Sequence, residues 1–266
     1  MANKHPFHIV DTSPWPLINS LNLLNTVLLS LLYFKIPSLN RILLILTRLS
    51  ALILTRFLWW RDICREGAYQ GHHTFKVYQG LKIRILLFIS REVIFFFSFF
   101  WAFFHFRLSP DIEISNTWPP TNIFTVNPYH LPLLNRIILI RSGASVTWCH
   151  YSIINKKFYY TYFSLFITIF LGLIFTFIQG IEYINIRFCM NDNVFGSVFF
   201  ILTGFHGTHV LIGTLFLIVN YLRIWKRQIN NKHHFRLEAA AWYWHFVDVV
   251  WIYLYIFVYW WWFYSY

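Results

Sequence analysis

The sequence predicts an all-α membrane protein with seven transmembrane helices. Hydrophobic residues make up 58% of the 266 residues and aromatic residues 22%, whereas charged residues make up only 12%, about half their share in soluble domains. Thirteen Trp, 16 Tyr and 30 Phe are too many for one soluble core. This composition excludes disordered chains, fibrous repeats and disulfide scaffolds, and it indicates a helical protein that crosses the membrane several times.

Seven apolar stretches predict the helices. A hydrocarbon core about 30 Å thick requires about 20 apolar residues per helix. The stretches that meet this requirement are Leu17–Phe34, Leu39–Trp60, Gly80–Phe106, Leu131–Ser152, Phe158–Tyr183, Val194–Ile224 and Leu237–Phe263. Lys35–Ser38 predicts a tight turn that makes a hairpin of the first two helices (about 17–60). The other five (about 80–263) complete a single membrane domain over residues 1–266.

Three segments fall outside these helices and have distinct compositions. Arg61–Gln79 is charged and contains histidines, and we expect a loop there. Leu108–His130 contains four prolines and predicts an irregular surface segment. Met1–Asp11 is polar and lacks an apolar core, so we expect no signal peptide.

The distribution of Lys and Arg predicts the orientation. Thirteen lie on the side of the N-terminus: Lys4, Arg61, Arg65, Lys76, Lys82, Arg84, Lys156, Lys157, Arg223, Lys226, Arg227, Lys232 and Arg236. Five lie on the opposite side: Lys35, Arg41, Arg107, Arg136 and Arg187. This excess places the N-terminal side in the cytoplasm or matrix, and seven spans place the C-terminus opposite. Trp15 and Trp260–Trp262 suit interfacial aromatic belts.

Several function classes are disfavoured. The net charge of +12 does not indicate a nucleic-acid partner, because the basic residues lie mostly in loops and at helix ends. Cys64, Cys149 and Cys189 are far apart, so neither a disulfide framework nor a zinc site is predicted. No Ser/His/Asp arrangement, phosphate-binding loop or HExxH motif indicates a catalytic site.

Glu92 is the candidate functional residue inside a predicted helix. A carboxylate within an apolar span is costly, so a functional role is the default interpretation. A protonated or hydrogen-bonded structural Glu is the equally weighted alternative. Arg91 is adjacent, but successive helical residues point about 100° apart, so it is not an obvious partner.

Histidines form three pairs along the chain. His206 and His209 are three residues apart on one helix face, where they could supply two metal ligands or pack and hydrogen-bond between helices. We favour packing, and we expect no bound metal. The adjacent pairs His72–His73 and His233–His234 diverge on a helix, which favours contacts with lipid headgroups or interfaces. Asp248 in the last span is a candidate relay group or a structural cap.

Seven unusual strings occur in order along the chain. They are HIVDTSPWP from His8, WWRD from Trp59, YQGHHT from Tyr69, FFWAFFH from Phe99, WPPT from Trp118, GFHGTHV from Gly204 and EAAAWYWHFVD from Glu238. Together they resemble cytochrome c oxidase subunit III of the mitochondrial type. The resemblance covers nearly the whole chain, from His5 to Trp261.

The resemblance implies both architecture and function. It implies a hairpin of helices one and two that splays from a five-helix bundle, leaving a V-shaped cleft filled with phospholipid. It implies a non-catalytic subunit of respiratory complex IV in the mitochondrial inner membrane, with its N-terminus in the matrix and its C-terminus in the intermembrane space. Haem and copper would belong to partner subunits. The subunit would stabilise the haem–copper catalytic subunit and support proton uptake.

The resemblance also assigns site residues. The lipid-contact positions of the family fall on Trp59, Trp60, Arg65, Glu66, His73 and Arg223. The intramembrane carboxylate of the family falls on Glu92. A Trp pair beside basic groups agrees with an anionic headgroup.

Six arginines depart from the family pattern, which usually has small residues at these positions. They are Arg48, Arg84, Arg91, Arg107, Arg141 and Arg236. An Arg in mid-membrane costs at least about 2.5–3.5 kcal/mol on insertion scales. Either these residues pair with carboxylates or lipid phosphates of partner subunits, or some of their codons are decoded as a smaller residue.

Two other functions fit parts of the sequence. A quinol oxidase contains a similar subunit, and the electron donor would distinguish the two complexes. A stand-alone transporter or membrane enzyme would instead use Glu92 with His206 and His209, and it would be active without haem-bearing partners.

Overall fold

The structure, a computed structural model, describes residues 5–112, 116–120, 123, 126–231 and 233–261, without the side chain of Ala68. Lys4, Thr121, Lys232, Trp262 and Phe263, which enter the predictions above, lie outside the described residues.

The described residues form seven α-helices, as the sequence predicts. They are α1 (Trp15–Lys35), α2 (Leu39–Ala68), α3 (Phe75–Leu108), α4 (Leu131–Ile154), α5 (Phe158–Asn185), α6 (Val194–Trp225) and α7 (Phe235–Leu254). A π-helical turn, Tyr255–Trp260, continues α7. Six helices in the described part are long and apolar enough to cross a membrane. The exception is α4, whose sequence includes Asn135, Arg136 and Arg141.

The predicted loop Arg61–Gln79 is wrong over most of its length. α2 continues through Arg61 to Ala68, and α3 already begins at Phe75. The helix persists because its polar end makes contacts of its own: Trp15 Nε1 donates to Asp62 Oδ2 at 2.8 Å. The chain turns only at 69–74, where Gly71 adopts a positive φ of 71° that glycine accepts without steric cost.

The proline-rich segment after α3 is irregular in its described residues, but it is not a surface segment throughout. Pro119, Pro120 and Ile123 are buried. Trp118 lies edge-on to Phe103 of α3 and Phe195 of α6, with ring centroids 5.9 and 5.6 Å apart. The aromatic and proline side chains bury apolar surface against the helices, which explains the inward fold.

The chain divides into two compact units, residues 1–81 and 82–266. In the first unit, α1 and α2 are joined by residues 36–38 and contact each other. Arg56 Nε donates to Asn19 Oδ1 at 3.1 Å between these helices. Most side chains of α2 point outward, and only 6% of the residues in its most apolar stretch are buried.

The second unit has its core around α7. In the most apolar stretch of Phe235–Trp260, which is α7 with the π-helical turn, 61% of the residues are buried. Its largest fully buried side chains include Trp244 and Trp251. Trp244 donates from Nε1 to Ser142 Oγ of α4 at 2.8 Å. Gly172 of α5 leaves space for the same indole, since a Cβ there would lie 2.7 Å from Trp244 Cη2. Small residues that let helices approach closely are typical of the contacts between transmembrane helices.

Candidate functional site

Glu92 lies near the middle of α3 with its side chain only 13% exposed. α3 has 34 residues, which makes it about 51 Å long and places Glu92 far from either end. One carboxylate oxygen, Oε1, is 2.7 Å from Arg91 Nη2. The other, Oε2, is 3.1 Å from His209 Nε2 of α6. The carboxylate therefore has two nitrogen partners.

Arg91 contacts Glu92, although helical spacing does not make it an obvious partner. Backbone geometry points adjacent side chains apart, but the long Arg side chain curves back around the helix. Its guanidinium also lies over the Phe88 ring, 4.9 Å from the centroid. The Arg91 side chain is 70% exposed, so the Arg91–Glu92 ion pair lies at the surface of the second unit.

His209 is held in one orientation by its other ring nitrogen. Nδ1 is 2.7 Å from the Phe205 carbonyl oxygen, which only accepts hydrogen bonds, so Nδ1 donates. With Nδ1 protonated, the bond between Nε2 and Glu92 requires a second proton, either on Nε2 or on the carboxyl. The pair therefore holds one proton between its two groups, as an imidazolium with a carboxylate or as two neutral groups.

Aromatic rings surround this pair. The His209 ring lies 4.9 Å from Phe96 and 6.4 Å from Tyr243, measured between centroids. Phe246 lies 6.5 Å away. These rings limit access of water, which strengthens a hydrogen bond between charged or polar groups.

His206 has different neighbours from His209. It is 1% exposed, and its Nε2 is 3.2 Å from the Val247 carbonyl oxygen of α7. Its ring contacts Trp251 and Phe175, with centroids 4.9 and 5.5 Å away. The two histidines thus face different partners, Glu92 for one and the backbone of α7 for the other.

Five of the expected lipid-contact residues lie in the first unit. Trp60 is 60% exposed and Arg65 is also exposed, whereas Trp59 is half-buried. Glu66 is already paired, since its Oε2 lies 2.7 Å from His8 Nε2. The His73 ring lies against α2, and Gly67 permits this approach because a Cβ there would be 2.7 Å from the ring.

Arg223 belongs to the second unit, in the last turn of α6. Its Nε donates to Gln228 Oε1 at 3.2 Å. This bond fixes the start of the short segment between α6 and α7.

Asp248 is buried in α7, and its Oδ2 is 3.9 Å from His245 Nδ1. Gly143 of α4 provides the space beside it, because a Cβ at this position would lie 2.5 Å from Oδ2. Asp248 Oδ1 is buried without a hydrogen-bond partner among the described residues.

Besides Asp248, one further buried carboxylate was not identified from the sequence. Glu182 is 2% exposed, and Tyr259 of the π-helical turn donates to its Oε1 at 2.7 Å. Nearby, Asn135 Nδ2 donates to Gln179 Oε1 at 3.2 Å. The sequence could have indicated this residue by the same criterion as Glu92, because Glu182 also lies inside an apolar stretch.

The unexpected arginines have unequal surroundings. Arg48, Arg84 and Arg141 are exposed on their helices and make no ion pair within the described part of the chain. Arg107, by contrast, lies over the Trp261 ring, 4.0 Å from its centroid.

Comparisons with known proteins agree over almost the entire chain. A family model described as cytochrome c oxidase subunit III matches residues 5–263. Cytochrome c oxidase subunit 3 of Rhipicephalus sanguineus is 52% identical over 244 residues, which cover 92% of this chain and 94% of that protein. The protein of the same name from Marchantia polymorpha is 49% identical over 248 residues, 93% of each chain. That from Drosophila melanogaster is 50% identical over 246 residues, covering 92% and 93%.

Proposed function

The chain belongs to the cytochrome c oxidase subunit III family, and on that premise we propose how it serves the oxidase of which it is a subunit. It acts as a non-catalytic core subunit that stabilises the haem–copper catalytic subunit, binds structural phospholipid and supports proton uptake during oxygen reduction. The observation that carries this proposal is the family match over residues 5–263. The names of the relatives favour cytochrome c over a quinol as the electron donor of the complex.

We further propose that all seven helices cross the mitochondrial inner membrane. α1 and α2 form a hairpin set apart from α3–α7, with phospholipid in the cleft, and the N-terminus lies in the matrix. The contacts between α1 and α2 support the hairpin. Among the described helices α4 alone lacks a stretch apolar enough to indicate a membrane span, but it buries Asn135, Ser142 and Ser145 inside the second unit, which lowers the cost of crossing.

The phospholipid site of the proposal comprises Trp59, Trp60, Arg65, Glu66, His73 and Arg223. An exposed indole such as Trp60 suits the membrane interface, and the exposed guanidinium of Arg65 suits an anionic phosphate. Because His8 occupies one oxygen of Glu66, we assign the headgroup contact of this residue to its other oxygen.

In this proposal the chain assists proton uptake by the catalytic subunit. Haem and copper are held by partner subunits. The Glu92–His209 pair supports this role because it joins a carboxylate to an imidazole near the middle of α3.

Removal of the subunit from the purified oxidase tests the proposal. Oxygen consumption is followed over time at several pH values for intact and subunit-depleted complexes. We expect depletion to reduce proton supply and to shorten the active lifetime during turnover, because the catalytic subunit loses contacts and lipid. Identical time courses for both complexes at every pH would contradict the supporting role.

A further inference from the structure

Three side chains from two distant parts of the sequence converge where α4 ends and α7 begins. His150 lies in the last two turns of α4, His234 precedes α7, and Glu238 lies in the first turn of α7. Glu238 Oε1 is 3.1 Å from His234 Nε2 and 3.7 Å from His150 Nε2. The two imidazole rings are 5.4 Å apart between centroids. One carboxylate oxygen thus faces two ring nitrogens.

The hydrogen bonding of this cluster is incomplete. His150 Nε2 and His234 Nδ1 are both buried and have no hydrogen-bond partner among the described residues. Buried polar atoms without a partner are unusual and require an explanation. A ligand between the rings would supply the missing interaction for His150.

The donor atoms are spaced as a zinc ion requires. Zinc binds imidazole nitrogen at about 2.0–2.1 Å and carboxylate oxygen at about 2.0–2.2 Å in tetrahedral geometry, which separates two donors by about 3.3 Å. The observed separations of 3.1 and 3.7 Å lie on either side of this value. The three donor atoms all lie within 4.8 Å of one another, so small movements of the side chains would bring all three into position around one ion.

Lys82 is the competing cation at this place. Its Nζ is 3.4 Å from Glu238 Oε2, the carboxylate oxygen that does not face the histidines. The Lys82 side chain is 48% exposed, so it can move into water when a metal ion approaches. The metal would then replace Lys82 as the counter-charge of Glu238.

We propose that His150, His234 and Glu238 form a Zn²⁺ site with three protein ligands and one open position for water. Two imidazoles and one carboxylate are a donor set that zinc uses in proteins, whereas Mg²⁺ prefers oxygen ligands. The ion ties the end of α4 to the start of α7. The site shares no residue with the Glu92–His209 pair or with the proposed lipid-contact set.

Zinc protection of the histidines in the intact oxidase tests the site. The purified complex is treated with a chelator, then with diethyl pyrocarbonate in the presence of Zn²⁺, of Mg²⁺ or of neither, and carbethoxylation is quantified peptide by peptide. With free Zn²⁺ at about ten times the dissociation constant, we expect His150 and His234 to react ~10-fold more slowly. The exposed neighbour His233 and the Mg²⁺ sample should show no change. Equal reaction of His150 with and without Zn²⁺ would overturn the proposal.

Variants of the cluster provide a second, independent measurement. In Glu238→Gln the protection of His150 should disappear, because the oxygen shared by both histidines becomes a weakly binding amide. The matched control His233→Asn changes the adjacent histidine and should keep full protection of His150. Protection that persists in Glu238→Gln would also overturn the site. If this variant does not assemble, the protection measured in the unaltered complex decides alone.

Discussion

Glu92 and His209 form a hydrogen-bonded pair between α3 and α6, with Oε2 and Nε2 3.1 Å apart. Because Nδ1 of His209 donates to the Phe205 carbonyl, the hydrogen bond between Nε2 and Glu92 requires a further proton on one of these two groups. Its other neighbours are aromatic rings and Arg91. The carboxylate thus lies between a guanidinium and an imidazole, and its effect on the oxidase is open to direct measurement.

Glu92→Gln should leave initial oxygen reduction within about twofold of the unaltered rate, a change of ~0.4 kcal/mol in activation free energy. Gln keeps the size and the hydrogen-bonding groups of Glu but removes the ionisable proton, and it opens no cavity beside the aromatic rings. Initial rates at several pH values test this. Glu182→Gln is the matched control, since it removes a different buried carboxylate. Abolition of the initial rate by Glu92→Gln alone, with normal haem spectra and assembly, would make Glu92 a required proton carrier.

Arg223→Ala should reduce the phospholipid that copurifies with the complex. A hydrogen bond to a charged group contributes about 1.5–3 kcal/mol, so lipid binding should weaken ~10-fold or more. Lys226→Ala, which removes a positive charge one residue beyond α6, serves as the control and should retain lipid. Quantitative mass spectrometry of extracted lipids measures both, and unchanged lipid content in Arg223→Ala would refute the assignment.

A tag at the N-terminus should be inaccessible from the intermembrane side. The expectation rests on the excess of Lys and Arg on the N-terminal side of the helices, which places that side in the matrix. Protease is added to sealed inner-membrane vesicles of known orientation, and cleavage of N-terminal and C-terminal tags is compared. Cleavage of the N-terminal tag from the intermembrane side would reverse the proposed topology.

The mature protein should carry residues smaller than Arg at positions 48 and 141. Both side chains are exposed and make no ion pair within the described part of the chain, and each Arg in mid-membrane costs at least about 2.5–3.5 kcal/mol. Peptide mass spectrometry across positions 48, 91 and 141 measures the residue directly. Arg masses at 48 and 141 would instead require acidic or phosphate partners from outside this chain.

Gly172→Ala should loosen the helix packing of the second unit. The added Cβ would lie 2.6 Å from Thr214 Cγ2 and 2.7 Å from Trp244 Cη2, and overpacking of this kind costs about 1–3 kcal/mol. Thiol labelling of the buried Cys149 during heating of the complex reports the loss of packing. Gly180→Ala in the same helix is the control, since no atom lies within 4 Å of its new Cβ. Equal labelling temperatures in the two variants would contradict the role of Gly172.

The sequence by itself determined the helices and the family, and it indicated Glu92 as a candidate functional residue. Long apolar stretches set the seven helices because a membrane helix must satisfy its backbone polar groups internally. A carboxylate stands out in such a stretch whatever surrounds it. The ends of α2 and α3 were predicted poorly, because charged residues such as Arg61 and Asp62 are compatible with a helix that extends beyond the apolar region.

Only the tertiary structure decided which side chains meet. Glu92 and His209 are 117 residues apart, and His150 reaches Glu238 from the end of another helix. Arg91 turned back to Glu92 although backbone geometry points the two apart, because a long side chain has rotamers that helical spacing does not describe. Contacts of this kind depend on how helices pack and on rotamer choice, and both depend on the whole folded chain and not on any local segment of sequence.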